Sequence, residues 1–360
     1  VSLLRKLFRG PRWQQFGQRS GRLGRRALDR VLDRLLPVPP NLGIDAVTDV
    51  RRVLLVRPNF RIGNVLLATP LVFAARERFP AAQLEILVGE TTRSLLGGLP
   101  IDAIHCVSRL HILFPWRFVA LFMHLRRRRF DVAIAADPGS FSGGLYTFLS
   151  GARYRIGWSG RGDRFVNVRL SRGRVTHAYE SAPALARSMG ATCADRPIYA
   201  VSRAEDEAAL RILAELGLAE DGTIRPFVGV FVGGHLRKRW PQSLWLAFAR
   251  ELERLAVPFV IFLGPEEAAF SARLRAELSP RARILPPQPL RTFAAVLARA
   301  RLFVSPDSGP MHLAAALRVP VLALLQMERS EFYRPHGAED RALVRPTPEM
   351  VAEAVCGALS

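Results

Sequence analysis

Short, fully apolar runs alternate with longer amphipathic segments along most of this chain. The runs RVLLVR, LEILVG, AIHCV and DVAIAAD predict strands beginning at Arg52, Leu84, Ala103 and Asp131, and the spacing between them predicts helices from Asn64 to Arg78 and from Arg117 to Arg128. A second series begins at Pro226. Strands PFVGVFVG, PFVIFLG, ARILP, RLFVSPD and PVLALL alternate with helices expected over Gln242 to Leu255, Glu267 to Leu278, Leu290 to Ala300 and Pro310 to Leu317. Apolar strands alternating with helices of this length predict parallel sheets covered on both faces, so the fold class is α/β, with two doubly wound, Rossmann-like domains facing a cleft.

A chain of 360 residues is long enough for two such domains at roughly 100–200 residues each. The organisation expected is a basic amphipathic arm over 1–44, a first domain over 45–200, a second over 201–345 and a terminal helix over 346–360. Thr347 and Pro348 suit the cap and first turn of that last helix. In open parallel sheets ligands sit beyond the carboxyl ends of the strands, so the loops after each strand are where chemistry is sought.

Three of those loops in the second half stand out. In LFVSPDSGPMHLAAALRVPVLALL a buried strand is followed by Asp307, Ser308 and Gly309, then by a helix with His312 in its first turn. The N–H groups and dipole of a helix start suit a diphosphate, and Gly309 permits close approach; equally, Asp307 or Ser308 serves simply as a cap and His312 as a surface histidine. In FVGGHLRKRWPQSLW, Gly233 and Gly234 free the backbone to cradle an anion, while Arg237, Lys238 and Arg239 supply cations; otherwise the loop is a solvated basic turn. In FLGPEEAAF, Glu266 or Glu267 either binds ribose hydroxyls or complements the dipole of the helix it opens.

Charge adds a partner. The net charge is +21, which draws the protein to something acidic. Residues 1–36 carry ten Lys/Arg against two Asp, 10 − 2 = +8, on segments whose leucines recur at helical spacing. Such segments lie on anionic membranes, pack on a protein body, or stay solvated. No signal-peptide pattern is expected there and no apolar stretch is long enough to span a bilayer. Helix-turn-helix, zinc-finger and RNP-like motifs are missing from the sequence, so nucleic acid is not the expected partner. Three cysteines, Cys106, Cys193 and Cys356, fit no zinc spacing and leave one unpaired, which favours a reducing compartment.

The segments RKRWP (Arg237 to Pro241), LGPEE (Leu263 to Glu267) and DSGPMHLAAALRVPVLAL (Asp307 to Leu324), in this order, resemble the heptosyltransferases of glycosyltransferase family nine. VLLVRPNFRIGNVLLATPLVFAARERFP (Val53 to Pro80), YRIGW (Tyr154 to Trp158) and HAYE (His177 to Glu180) resemble that family's first half. The resemblance implies a GT-B architecture and an inverting enzyme without metal or other cofactor. It implies a nucleotide-sugar donor, ADP-heptose or similar, held by the second domain, and a lipopolysaccharide-type glycolipid acceptor held by the first. Lys238 would meet the donor diphosphate, Glu266 or Glu267 the ribose, and Asp307, Ser308, Gly309 and His312 the diphosphate-sugar region. Gly233 and Gly234 replace threonines common there, favouring backbone contacts. Arg61 and Asn64 would face the acceptor. The family commonly has an aspartate where Asn64 stands, and an amide cannot take a proton near neutral pH. Asp137, at the end of DVAIAAD, is the candidate base in its place. A nucleotide-sugar epimerase or hydrolase on the same fold, and a non-catalytic sugar-nucleotide-binding relative, are the alternatives. The expected location is the cytoplasm, peripheral at the inner face of the plasma membrane.

Deleting residues 1–36 is expected to lower salt-sensitive co-sedimentation with anionic vesicles while the remaining protein stays folded. Undiminished sedimentation of the truncated chain would make the arm a solvated or packed element.

Overall fold

The computed structural model describes residues 36–359 except 113, 137–139, 161, 221–222, 236 and 281. The arm, up to residue 35, and Asp137 therefore lie outside the described residues. The first half forms a parallel sheet from β1 (Arg52–Arg57), β2 (Gln83–Gly89), β3 (Ala103–Val107), β4 (Val132–Ala135), β5 (Tyr154–Trp158) and β6 (Val168–Leu170), in the order β3-β2-β1-β4-β5-β6. A two-stranded antiparallel ribbon, β7 (Ala219–Glu220) with β8 (Thr223–Ile224), lies between the halves in sequence. The second half repeats the pattern with β9 (Val228–Phe231), β10 (Phe259–Phe262), β11 (Arg283–Leu285), β12 (Leu302–Pro306), β13 (Val321–Leu325) and β14 (Arg341–Val344), in the order β11-β10-β9-β12-β13-β14. Each order reverses beside its first strand, between β1 and β4 and between β9 and β12, which opens a crevice at their carboxyl ends.

Central strands are buried along their length because helices cover both faces. Val53 to Val56 are at most 1 % exposed, and Val228, Phe303 and Val304 are fully buried. The sequence reading found neither β5 and β6 nor β14: YRIGW is interrupted by Arg155, and β14 is partly exposed at a sheet edge, so neither shows the continuous apolar run of a central strand. The helix expected over Asn64 to Arg78 is two helices, Ile62–Leu66 and Pro70–Arg78. Pro70 has no N–H to give Leu66, and the Thr69 hydroxyl takes that carbonyl instead at 2.7 Å. Thr69 Oγ1 also accepts the Ile198 N–H at 2.8 Å, tying the break to the segment that leads into the second half.

The halves are fastened to one another. Arg291 donates to Ser94 O at 2.9 Å and to Ala200 O at 2.8 Å, and it pairs with Glu205. Arg196 pairs with buried Asp340 at 2.8 Å. Near the crevice, the Ile62–Leu66 helix packs on the Gly309–Ala316 helix. Gly63 lies so close to the His312 ring that a β-carbon on it would stand 2.4 Å from His312 Cδ2, and one on Gly309 would stand 2.9 Å from Ile62 Cβ. The missing side chain of Gly309 makes room for Ile62 across the seam. The terminal helix, Pro348–Leu359, buries Val351, Ala352 and Val355 in the core of the second half.

Gly63→Ala is expected to push the two helices apart, because the His312 ring it would strike is buried and held by Tyr179. Urea unfolding should show a loss of about 1–3 kcal/mol. A change of no more than a few tenths would mean that the seam yields freely.

Candidate active site

Adjacent residues of the loop after β9 reach to two different neighbours. Lys238 Nζ lies 2.5 Å from Asp307 Oδ2, beyond the end of β12, and Arg239 Nη1 lies 2.8 Å from Glu267 Oε1, beyond the end of β10. In both pairs the acid is inside and the base outermost. The Asp307 and Glu267 side chains are 5 % and 7 % exposed, whereas Lys238 and Arg239 are each 27 % exposed. An anion entering the crevice therefore meets cations whose own counter-charges are buried behind them.

Glu267 is packed between glycines. A β-carbon on Gly233 would stand 2.5 Å from its Oε2, and one on Gly264 would stand 2.6 Å away. The missing side chain of Gly233 thus leaves room for a buried carboxylate. Gly234, at φ +118°, takes a backbone shape that favours glycine and brings the loop against Ser308. Burial pushes the Glu267 carboxyl above its usual range, which Arg239 only partly offsets. Glu267 lies in a turn, its N–H bonded to Gly264 O at 3.0 Å, and the helix expected to start with it begins at Phe270. It is therefore no first-turn complement to the helix dipole. Glu266 is exposed beside it.

Asp307 does not cap the Gly309–Ala316 helix, since its carboxylate is engaged by Lys238. Ser308 stands at the cap position but makes no cap bond, and its hydroxyl pairs with Ser305 Oγ at 3.1 Å. The cap residue thus leaves the first N–H groups of the helix without its side chain, and the helix starts just beyond the end of β12. His312 is a buried residue, not a surface one. Its Nδ1 shares a 2.8 Å hydrogen bond with the hydroxyl of Tyr179, from the first half, and burial holds the imidazole well below its ordinary pKa and so neutral. Burial likewise raises the Tyr179 phenol, keeping it protonated.

The first half supplies the facing wall. Asn64 is half-buried one residue from Gly63, and its carbonyl accepts from Arg57 Nε at 2.8 Å. Arg61 is exposed just before that helix. The structure thus gathers Lys238, Glu267, Asp307, Ser308 and Gly309 at the ends of the second sheet, with Arg61 and Asn64 opposite. β4 ends at Ala135 beside β1, two residues before Asp137. Sequence reading missed Tyr333, whose ring lies 5.7 Å from Lys238 Nζ, and the partnership of Tyr179 with His312; neither spacing nor periodicity signals a contact between residues so far apart in the chain. Among the described residues no group of three or more His, Cys, Asp or Glu converges where an ion could be held.

The chain matches the family model of glycosyltransferase family 9 (heptosyltransferase) over residues 118–355. It is 25% identical over 312 residues to lipopolysaccharide heptosyltransferase 2 of Escherichia coli (strain K12), covering 81% of this chain and 87% of that one. A stretch of 101 residues is 37% identical to lipopolysaccharide heptosyltransferase 1 of Pseudomonas aeruginosa, covering 28% of each. Among solved structures, a family 9 glycosyl transferase from Veillonella parvula superposes with a TM-score of 0.74 at 18% identity, covering 89% of this chain and 99% of that one. The E. coli ADP-heptose lps heptosyltransferase II superposes at 0.67 and 21%, covering 85% and 98%. A putative UDP-N-acetylglucosamine 2-epimerase from Listeria monocytogenes shares the fold more loosely, at 0.54 and 14%, covering 86% and 88%. Two Rossmann-like sheets facing a crevice are the GT-B architecture, and with the family model matched across most of the chain, this protein belongs to glycosyltransferase family 9, the heptosyltransferases.

Proposed function

We propose that the protein transfers a heptose or related sugar from a nucleotide diphosphate, with inversion, to a lipopolysaccharide-type glycolipid. The observation that carries this reading is the Lys238–Asp307 pair with its cation outermost, beside an uncapped helix start, in a family 9 chain. An acceptor oxygen attacks the anomeric carbon as the bond from that carbon to the diphosphate breaks. The charge that appears on the leaving diphosphate is met by Lys238 and by the N–H groups of the Gly309–Ala316 helix, both already in place. Asp307 acts through Lys238, holding its ammonium at the crevice. We assign the donor to the second half and the acceptor to the first, with Arg61 and Asn64 facing it. Glu267, tied to Arg239, or the exposed Glu266 beside it, is assigned to the ribose. Two of the relatives named above are lipopolysaccharide heptosyltransferases, and an acceptor carried on lipid supports a working place at the inner face of the membrane.

Lys238→Ala is expected to weaken binding of the nucleoside diphosphate by about 1.5–3 kcal/mol, read by isothermal titration, and to lower turnover with it. Unchanged affinity would remove Lys238 from the site.

The proton of the acceptor hydroxyl needs a base, and Asn64 is not one. We assign that role to Asp137. Asp137→Asn should abolish most turnover at saturating substrates while leaving donor affinity intact, and full turnover would exclude it. Asn64 also supports a second reading, a relative that binds the sugar nucleotide without transferring it. If the natural chain is silent with donor and acceptor while Asn64→Asp transfers sugar, that second reading holds.

A further inference from the structure

The Pro115–Arg127 helix carries apolar residues on two faces. One face, Phe118, Leu121, Phe122 and Leu125, packs on the first sheet. The other leaves Trp116 63 % exposed, Val119 58 % and Met123 49 %, with exposed Ala120 among them. Positions 116, 119, 120 and 123 follow the i, i+3, i+4, i+7 pattern, so they form one continuous stripe pointing away from the protein. Single exposed apolar residues are ordinary; a row of them on a helix already anchored by its opposite face is not. The helix cannot roll to hide the row, because Arg128 at its end is bonded to buried Glu85, which also binds His105 at 2.6 Å.

The surroundings say what covers it. Between Ala103 and Phe130 the chain has six arginines and no Asp or Glu. Arg117 in the first turn and Arg126 and Arg127 in the last are all exposed, so both ends of the stripe are flanked by positive charge. Trp116 sits at the leading end, its ring 5.1 Å from Phe114. An apolar stripe with a tryptophan at its edge and arginines around it matches a bilayer surface whose headgroups are anionic and whose acyl region begins a few ångströms below. The position fits as well. The helix follows β3, so its first turn begins at the crevice end of the first sheet, and Arg109, just before it, stacks on Phe60 of the loop after β1 at 5.0 Å.

We propose that the Trp116–Met123 face of this helix is a membrane-docking surface for an anionic bilayer, independent of the basic N-terminal arm, that seats the first half with its crevice rim against the lipid headgroups. This deepens the glycolipid reading, since an acceptor held in that bilayer would reach Arg61 and Asn64 without leaving it, but the docking itself needs no sugar.

The test uses the full chain and the triple variant Trp116→Ser, Val119→Ser, Met123→Ser, with vesicles of phosphatidylcholine alone and of phosphatidylcholine with phosphatidylglycerol. All three side chains point to solvent, and thermal unfolding of the variant checks that the fold is kept. Partition onto the mixed vesicles should fall on the order of tenfold in the variant, while the natural chain shows a blue-shifted tryptophan emission that Trp116→Phe removes. Partition equal to that of the natural chain overturns the proposal. So does a variant that merely changes from dimer to monomer in sedimentation without vesicles while binding them fully, since the face would then join two copies of the chain. Transfer assayed on a soluble, deacylated acceptor should be unchanged in the variant and fall only for acceptor in vesicles. No transfer by either protein to either acceptor would count against the assigned reaction and leave the vesicle result to decide the surface.

Discussion

Two carboxylates buried at the ends of parallel strands set the shape of the second half. Asp307 and Glu267 lie where the crevice opens, and a carboxylate taken out of water must be paired or neutralised. Lys238 and Arg239, adjacent in sequence, pair with one each and so pull the loop after β9 across the ends of β10 and β12. Gly233 and Gly264 are small because Glu267 fills the space beside them. Replacing the acids with apolar residues would release the loop, and removing the bases would leave charge buried, so the four side chains work as one unit. What faces the crevice from that unit is positive.

The same economy of space governs the seam between the halves. Gly63 and Gly309 bring the starts of two helices from different sheets into contact, and His312 is wedged between them, neutral, on the hydroxyl of Tyr179. Asn64 is carried to the crevice by this packing because it follows Gly63. The position is thereby fixed by sterics, while the chemistry it can perform is limited by the amide.

The helix from Pro115 to Arg127 shows a different balance. Its inner face is held by Phe122 and Leu125 and by Arg128 on Glu85, whose carboxyl burial would raise but which the bonds from Arg128 and His105 hold below the usual range. That charge inside the first half fixes which apolar residues remain outside. The face proposed for lipid and the face that packs on the sheet thus lie on opposite sides of one helix.

The amino-acid sequence by itself determined the alternation of strands and helices, and with it both sheets. Apolar runs such as RVLLV and FVIF can be buried on both faces only in covered parallel strands. It also marked the three loops that hold Lys238, Glu267 and Asp307, since basic and acidic residues directly after buried strands stand out against apolar neighbours. Edge strands such as β14 and the break at Thr69 escaped it, because a half-exposed strand has no distinctive pattern and a proline inside an apolar stretch reads as a helix start as readily as a division. The pairing of Lys238 with Asp307 and of Arg239 with Glu267, the contact of Tyr179 with His312, and the use of Gly63, Gly233 and Gly309 as clearance for side chains were decided only by tertiary structure. Each depends on distances between residues far apart in the chain, and local sequence carries no record of which partner will occupy the space beside a glycine or the charge beside a carboxylate.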